Sequence, residues 1–182
     1  MHGSRRLAIS IFVAAALAAV PMTTAAADLS SNAVFVNQAN SNRLLICTSS
    51  HIDTTGTATL TIPMWSFSGC SFSGVFGTSV TGMSTNASTS CPYNATIDDS
   101  SSPATITIRP NGDSCSTSIF LIVSVTVVGL RENCAYSPTN GSLTGSTQTG
   151  GSSITFSNQP FTRNNGRAPC FSSMLFSATY GS

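Results

Sequence analysis

The sequence predicts an all-β fold: a single antiparallel β-sandwich, or barrel-like sandwich, of about nine strands with three disulfides, preceded by a helical signal peptide. Three observations carry this prediction. Apolar residues recur with period two, six cysteines all lie downstream of an export-type beginning, and no stretch beyond residue 27 shows a period of 3.6.

At the start of the chain, Arg5 and Arg6 precede an apolar run over residues 7–20, then helix-breaking Pro21 and the small residues Ala25, Ala26 and Ala27. This is the order of a secretory signal with an A-x-A cleavage site, so residues 1–27 are expected to be removed and residues 28–182 to form one secreted domain. As a helix the apolar run would be about 21 Å long, short of a hydrocarbon core of roughly 30 Å, which argues against a membrane anchor. The arginine pair also occurs in twin-arginine signals, but Ala8 and Ser10 stand where Phe and Lys are usual, so the ordinary secretory route is favoured.

Alternation then marks the strands. Over residues 57–62, Ala58, Leu60 and Ile62 face one way and the threonines the other; over 105–109, Ile106 and Ile108 point inward; near the end, Met174, Phe176, Ala178 and Tyr180 share a face. Further strands are expected at 33–38, 43–49, 74–83, 93–97, 119–128 and 154–157. The run at 119–128 is too short and too β-branched to cross a bilayer as a helix, so no membrane span is expected after signal cleavage. Residues 110–113 (Pro-Asn-Gly-Asp) read as a turn leading to a strand near Cys115. The echo of residues 66–69 in residues 71–74 (Ser-Phe-Ser-Gly) reads as strand-and-turn chemistry, and the Gly/Ser/Thr-rich stretch 141–153 as a hairpin or surface loop.

Charge is scarce, at 7% of residues against a usual figure of about 25%, and there is no lysine. Beyond residue 27, five arginines (Arg43, Arg109, Arg131, Arg163, Arg167) stand against six acids (Asp28, Asp53, Asp98, Asp99, Asp113, Glu132), a formal charge of −1. Scattered arginines supply no basic stripe for nucleic acid, and anionic membrane surfaces are disfavoured on the same ground. Serine, threonine and asparagine provide the polar surface instead, and their alternation with β-branched residues distinguishes the chain from a disordered one.

The cysteines are Cys47, Cys70, Cys91, Cys115, Cys134 and Cys170. An even count in an exported chain implies three disulfides, and sequential pairing is favoured because each pair then flanks one or two strands. Each closure contributes about 3–4 kcal/mol in the chain-entropy picture, against a total stability of about 5–15 kcal/mol. No C-x2-C spacing occurs and His51 is the one histidine beyond residue 27, so neither a metal nor another cofactor is expected.

Catalytic groups are few. His51 and Asp53 share a strand face, yet the G-x-S-x-G nucleophile turn is missing. Adjacent Asp98 and Asp99 read as loop residues and lack the spacing of a calcium loop or a glycosidase pair. The candidate binding residues are aromatic: Trp65, Tyr93, Tyr136 and Phe161, placed by the pattern at strand ends or loops, where flat rings stack on sugars or anchor a partner. Packing in the core is the competing reading for each. The sequons at Asn86, Asn94 and Asn140 are read as coincidence of a Ser/Thr-rich chain.

The Cys47 strand, the run Thr55-Gly56-Thr57-Ala58-Thr59-Leu60-Thr61, the close Phe67-Ser68-Gly69-Cys70 and the stretch from Cys170 to Ala178-Thr179-Tyr180 resemble small secreted all-β proteins of actinobacteria. More distantly, they resemble the family named for a protein activator of alkane oxidation. The resemblance implies an exported all-β protein and transfers no catalytic residue. The lysine-free composition fits a GC-rich genome. Neocarzinostatin-like carriers have more closely spaced cysteine pairs than this chain.

The expected function is therefore non-catalytic: a secreted or cell-surface protein that binds an unidentified extracellular ligand, glycan or protein, or serves as an envelope component. The rivals are a secreted hydrolase using a serine with His51 and Asp53, and a protease inhibitor presenting residues 91–93 (Cys-Pro-Tyr).

Overall fold

In this computed structural model, residues 27–56, 59–112, 115, 117–148 and 153–181 are described. Residues 1–26 of the expected signal peptide 1–27 lie outside them, as do Thr57, Ala58, Asp113 and residues 149–152 of the Gly/Ser/Thr-rich stretch.

The described residues form eleven strands and no helix: β1 (Ala27–Asn37), β2 (Leu44–Thr55), β3 (Thr59–Ser73), β4 (Thr78–Thr85), β5 (Tyr93–Asp98), β6 (Ala104–Arg109), β7 (Leu121–Val127), β8 (Leu130–Pro138), β9 (Leu143–Thr147), β10 (Ser153–Asn165) and β11 (Ser173–Gly181). Neighbours run in the order β11-β1-β2-β3-β4-β7-β8-β10, and β10 pairs back onto β11, so eight antiparallel strands close into a barrel. The other three, β5, β6 and β9, form an outer arc that also runs from β3 to β10. The expected sandwich of about nine strands is thus corrected to a closed barrel with three outer strands. Closure leaves the eight barrel strands without a free edge along the ring.

The branching depends on two long strands that change partners midway along one edge. In β3, Ile62 is the last residue paired with β5, and Ser66 pairs with Ser84 of β4; Pro63 stands between them, where the missing N–H breaks no ladder bond that either neighbour needs. In β10, Ile154 and Thr155 pair with β9 and residues from Phe161 onward pair with β8; between them lie a bulge at residues 157–158, with Asn158 at φ 49°, and then Pro160.

At each change the inward parity flips. Along β3 the buried side chains are Leu60 and Ile62, then Trp65 and Phe67; along β10 they are Ile154 and Phe156, then Phe161. A second flip in β3 falls at Gly69, whose φ of 59° and close approach to the Thr48 side chain leave no room for a Cβ. This explains the five-residue echo. In an unbroken strand Phe67 and Phe72 would face opposite ways, but Phe67 is buried and Phe72 packs against the core with Phe171, ring centres 5.3 Å apart.

Aromatic rings fill the barrel. Trp65 stacks on Phe156 at 6.0 Å, Phe35 on Phe176 at 4.9 Å, and Phe161 meets Phe176 edge-on at 6.2 Å. The polar groups that this packing buries find one another. Trp65 Nε1 donates to Tyr180 Oη at 2.9 Å and more weakly to Ser50 Oγ at 3.3 Å, and the Ser50 and Tyr180 hydroxyls lie 2.6 Å apart. No side-chain polar atom among the described residues is buried without a partner, which is what a low-dielectric interior demands.

The three disulfides pair sequentially, as expected. Cys47–Cys70 joins directly opposed residues of β2 and β3; Cys91–Cys115 ties the segment before β5 to the one before β7; Cys134–Cys170 fixes β8 to the loop before β11. Among the described residues, the strand that follows β6 is β7, which begins at Leu121 and not near Cys115.

Replacing Tyr180 with Phe removes the hydroxyl shared by Trp65 and Ser50 and leaves buried polar atoms short of a partner. Unfolding free energy is expected to fall by about 1–3 kcal/mol. Urea denaturation followed by the emission of Trp65, the single tryptophan, measures it; an unchanged midpoint would show that the triad adds nothing to stability.

Candidate functional site

The four aromatics singled out as binding residues are all buried: Trp65, Tyr93, Tyr136 and Phe161 each expose less than a twentieth of their surface. None offers an outward ring face, and each does core work. Trp65 and Phe161 come inside because of the parity flips in β3 and β10. Tyr136 lies on β8 between inward Cys134 and Pro138, and Tyr93 opens β5, where its hydroxyl donates to Asn86 Oδ1.

Asn86 is itself a structural hub. Its Oδ1 also accepts from the Phe120 N–H at 2.7 Å, and its Nδ2 donates to the Ser118 carbonyl at 3.0 Å. The side chain of one sequon is thereby committed to holding the segment before β7. With Tyr93 packed inward, residues 91–93 present no aromatic side chain to a protease cleft.

Burial raises the pKa of all three tyrosines. It pushes the Tyr136 phenol up to about 12, and those of Tyr93 and Tyr180 also rise, because a phenolate among apolar rings loses its hydration. Asp98 moves the opposite way: hydrogen bonds from the Ser100 hydroxyl and N–H hold its carboxyl below its ordinary value, as in a tight polar turn.

His51 gathers the densest group of ionisable side chains. Asp28 and Asp53 are directly opposed across β1 and β2, and His51, two residues from Asp53, shares their outward face. His51 Nε2 lies 2.6 Å from Asp28 Oδ1 and 3.5 Å from Asp53 Oδ1. The pairing of His51 with Asp53 was readable from their i, i+2 spacing. Asp28 was not, because only the β1–β2 register brings it across.

One ligand atom from each residue falls within 4.8 Å of the others, so these three side chains could jointly hold a divalent cation; a protonated imidazole bridging two carboxylates satisfies the same geometry. Among the described residues the polar partners of the His51 ring are these carboxylates and not a serine hydroxyl, so no Ser-His-Asp relay is assembled.

No known family, curated protein or solved structure matches the chain. What the molecule does must therefore be read from its own surfaces.

Among the described residues, side chains fill the barrel interior. The void bounded by Phe35, Trp65, Phe67, Ile119, Phe161 and Phe176 measures about 10 Å³, the room of one water at most. The two ends of the barrel differ in charge. Asp28, Asp53, Asp98 and Asp99 lie toward the end where β1 starts and β2 finishes, whereas Arg43, Arg131 and Arg167 lie at the other. Glu132, the acid at that second end, accepts a hydrogen bond from the Arg167 backbone N–H at 3.2 Å.

The raised tyrosine pKa values fix the alkaline behaviour. The unfolded chain releases phenolic protons near pH 10 while the folded barrel holds them, so stability is fully present below about pH 10 and falls as pH climbs toward the folded pKa values. A native spectrophotometric titration at 295 nm should show tyrosinate appearing only above the ordinary phenol pKa of about 10, with cooperative release on loss of fold. Smooth ionisation of even one tyrosine near its ordinary pKa, with the fold intact, would contradict the burial.

Proposed function

We propose that this protein is an exported, disulfide-braced barrel, of the kind found among the small secreted β-proteins it resembles, that acts by surface contact at or beyond the cell envelope and performs no catalysis. The observation that carries the reading is the division between interior and ends: the barrel is packed with rings, while Asp28, Asp53, Asp98 and Asp99 lie toward one end and Arg43, Arg131 and Arg167, with Glu132 beside them, at the other. Among the described residues, the void between the rings has room for one water at most, in contrast to barrels that enclose a small ligand. Binding then falls to the turns and the outer faces.

Three covalent bridges support an oxidising compartment, where such bonds form and persist. The N-terminal pattern over residues 1–27 supports the same address. The hydrolase reading draws on the Asp28, His51 and Asp53 group, but among the described residues the imidazole's polar contacts are carboxylates and not a hydroxyl nucleophile.

Expression of the full chain in a bacterial host tests the proposal. The product is expected outside the cytoplasm, shortened by residues 1–27, free of thiols, and retained by envelope fractions to the same extent when His51 is replaced by Ala. Unprocessed cytoplasmic protein, or an exported product that envelope fractions do not retain, would overturn it. Turnover of an ester, peptide or glycan substrate that disappears in His51→Ala would establish the hydrolase instead.

A further inference from the structure

At the arginine-bearing end, two hairpins carry apolar side chains that the fold leaves in solvent. Phe76, in the turn between β3 and β4, is 99% exposed; Val128, in the turn between β7 and β8, is 89% exposed, and Leu130 beside it 76%. The Val128 N–H donates to the Gly77 carbonyl at 3.4 Å, so the two turns form one continuous tip.

Val128 occupies this place against its own conformational preference. Val127 and Leu130 are paired, which leaves a two-residue turn, and both of its residues have positive φ, 47° at Val128 and 82° at Gly129. Turns of this kind favour Asn, Asp or Gly at the first position, and a β-branched residue there is a genuine outlier. A buried valine would be compensated by packing, but this one has none. Local strain combined with an exposed apolar side chain, repeated by its neighbours Leu130 and Phe76, marks a surface kept for contact and not for stability.

The charge around the tip identifies the partner. Composition alone argues against anionic surfaces, since five arginines are scattered along the sequence; the fold brings three of them, Arg43, Arg131 and Arg167, to this end, where the one acid among the described residues, Glu132, accepts from the Arg167 N–H, and sends four acids to the other. Arg131 directly follows Leu130, and Arg43 ends the β1–β2 turn against which Gly74 packs. We propose that this end is a membrane-docking tip: Phe76, Val128 and Leu130 enter the boundary between headgroups and acyl chains of an anionic bilayer, and the three arginines engage its headgroups.

A bilayer fits better than a folded partner. Specific protein interfaces bury on the order of 800 Å² on each side with matched shapes, which three side chains on two convex turns do not supply. A lipid surface needs no complementary shape, and it rewards apolar insertion beside cationic groups. The opposed charge at the far end orients the approach. This inference rests on the reading of a barrel that acts by surface contact outside the cytoplasm.

Cosedimentation of the disulfide-bonded protein with vesicles tests it, comparing phosphatidylcholine alone with phosphatidylcholine mixed with phosphatidylglycerol. Binding is expected to the anionic vesicles only and to weaken with salt. Phe76→Ser is expected to reduce it by about tenfold or more, and combined Arg43→Ser and Arg131→Ser comparably. Phe76 is solvent-exposed, so its replacement leaves the fold intact, which Trp65 emission verifies. In Phe76→Trp, the added emission is expected to shift blue with anionic vesicles and to be quenched by brominated lipid. Failure of the folded protein to bind anionic vesicles would overturn the inference, as would binding that ignores Phe76 and follows charge alone. If envelope fractions retained the protein through a protein or glycan while vesicles did not, the docking tip would fall and the surface-contact reading would stand.

Discussion

The structure depends on two strands that each serve two neighbours along one edge. β3 and β10 are the two longest strands, at 15 and 13 residues, and both branches of the sheet begin on one and end on the other. A strand continues a ladder only while its N–H and C=O groups point at the same partner. To pass from β5 to β4, or from β9 to β8, the chain must rotate, and it does so where the ladder is already broken, at Pro63 and at the bulge before Pro160. Proline is normally excluded from central strands; here it sits at the gap between two partners.

That rotation also sets the composition of the core. By flipping the inward parity, the two switches bring Trp65, Phe67 and Phe161 onto the same side as Phe35, Phe156 and Phe176. The rings then meet at centre-to-centre distances of 4.9–6.4 Å. One indole and one phenol must be buried to complete the cluster, and the Ser50, Trp65 and Tyr180 contacts satisfy both without a charge. A chain with so few ionisable residues folds on this basis: among the described residues its interior polarity is neutral and paired, and two of its three disulfides, Cys91–Cys115 and Cys134–Cys170, hold segments that the ring itself does not.

How much of this the sequence disclosed follows from the same physics. Alternation was readable wherever a strand keeps one parity, so β6 and β11 were predicted with the correct inward residues: Ile106 and Ile108 in one, Met174, Phe176, Ala178 and Tyr180 in the other. It failed where parity flips, because a break in alternation looks like a strand end. Trp65 and Phe161 were therefore placed at strand ends and read as binding residues. β8 lies outside the expected strands because its inward residues are Cys134, Tyr136 and Pro138, which do not form a recognisable apolar run, and β9 because its Gly/Ser/Thr-rich stretch reads as a loop; without these two, eleven strands become nine. The Asp28, His51 and Asp53 group was half legible. Two members lie on one strand, and the third joins only through the β1–β2 register, which a sequence does not display.

The scarcity of charge gives the remaining ionisable groups unusual weight. In an ordinary domain, with about a quarter of its residues ionised, the fields of neighbouring opposite charges largely cancel at the surface. Here few groups exist to cancel one another, so four acids at one end and three arginines, offset by Glu132 alone among the described acids, at the other leave a field along the barrel axis. A closed ring of strands is stiff, and the Cys134–Cys170 bridge anchors the loop bearing Arg167 to β8. The arginines therefore keep their station relative to the Phe76 and Val128 turns. Strain at Val128 is tolerated for the same reason. The adjoining strands β7 and β8 are paired along their whole length from Leu121–Tyr136 to Val127–Leu130, which leaves the two-residue turn no alternative conformation that preserves the ladder.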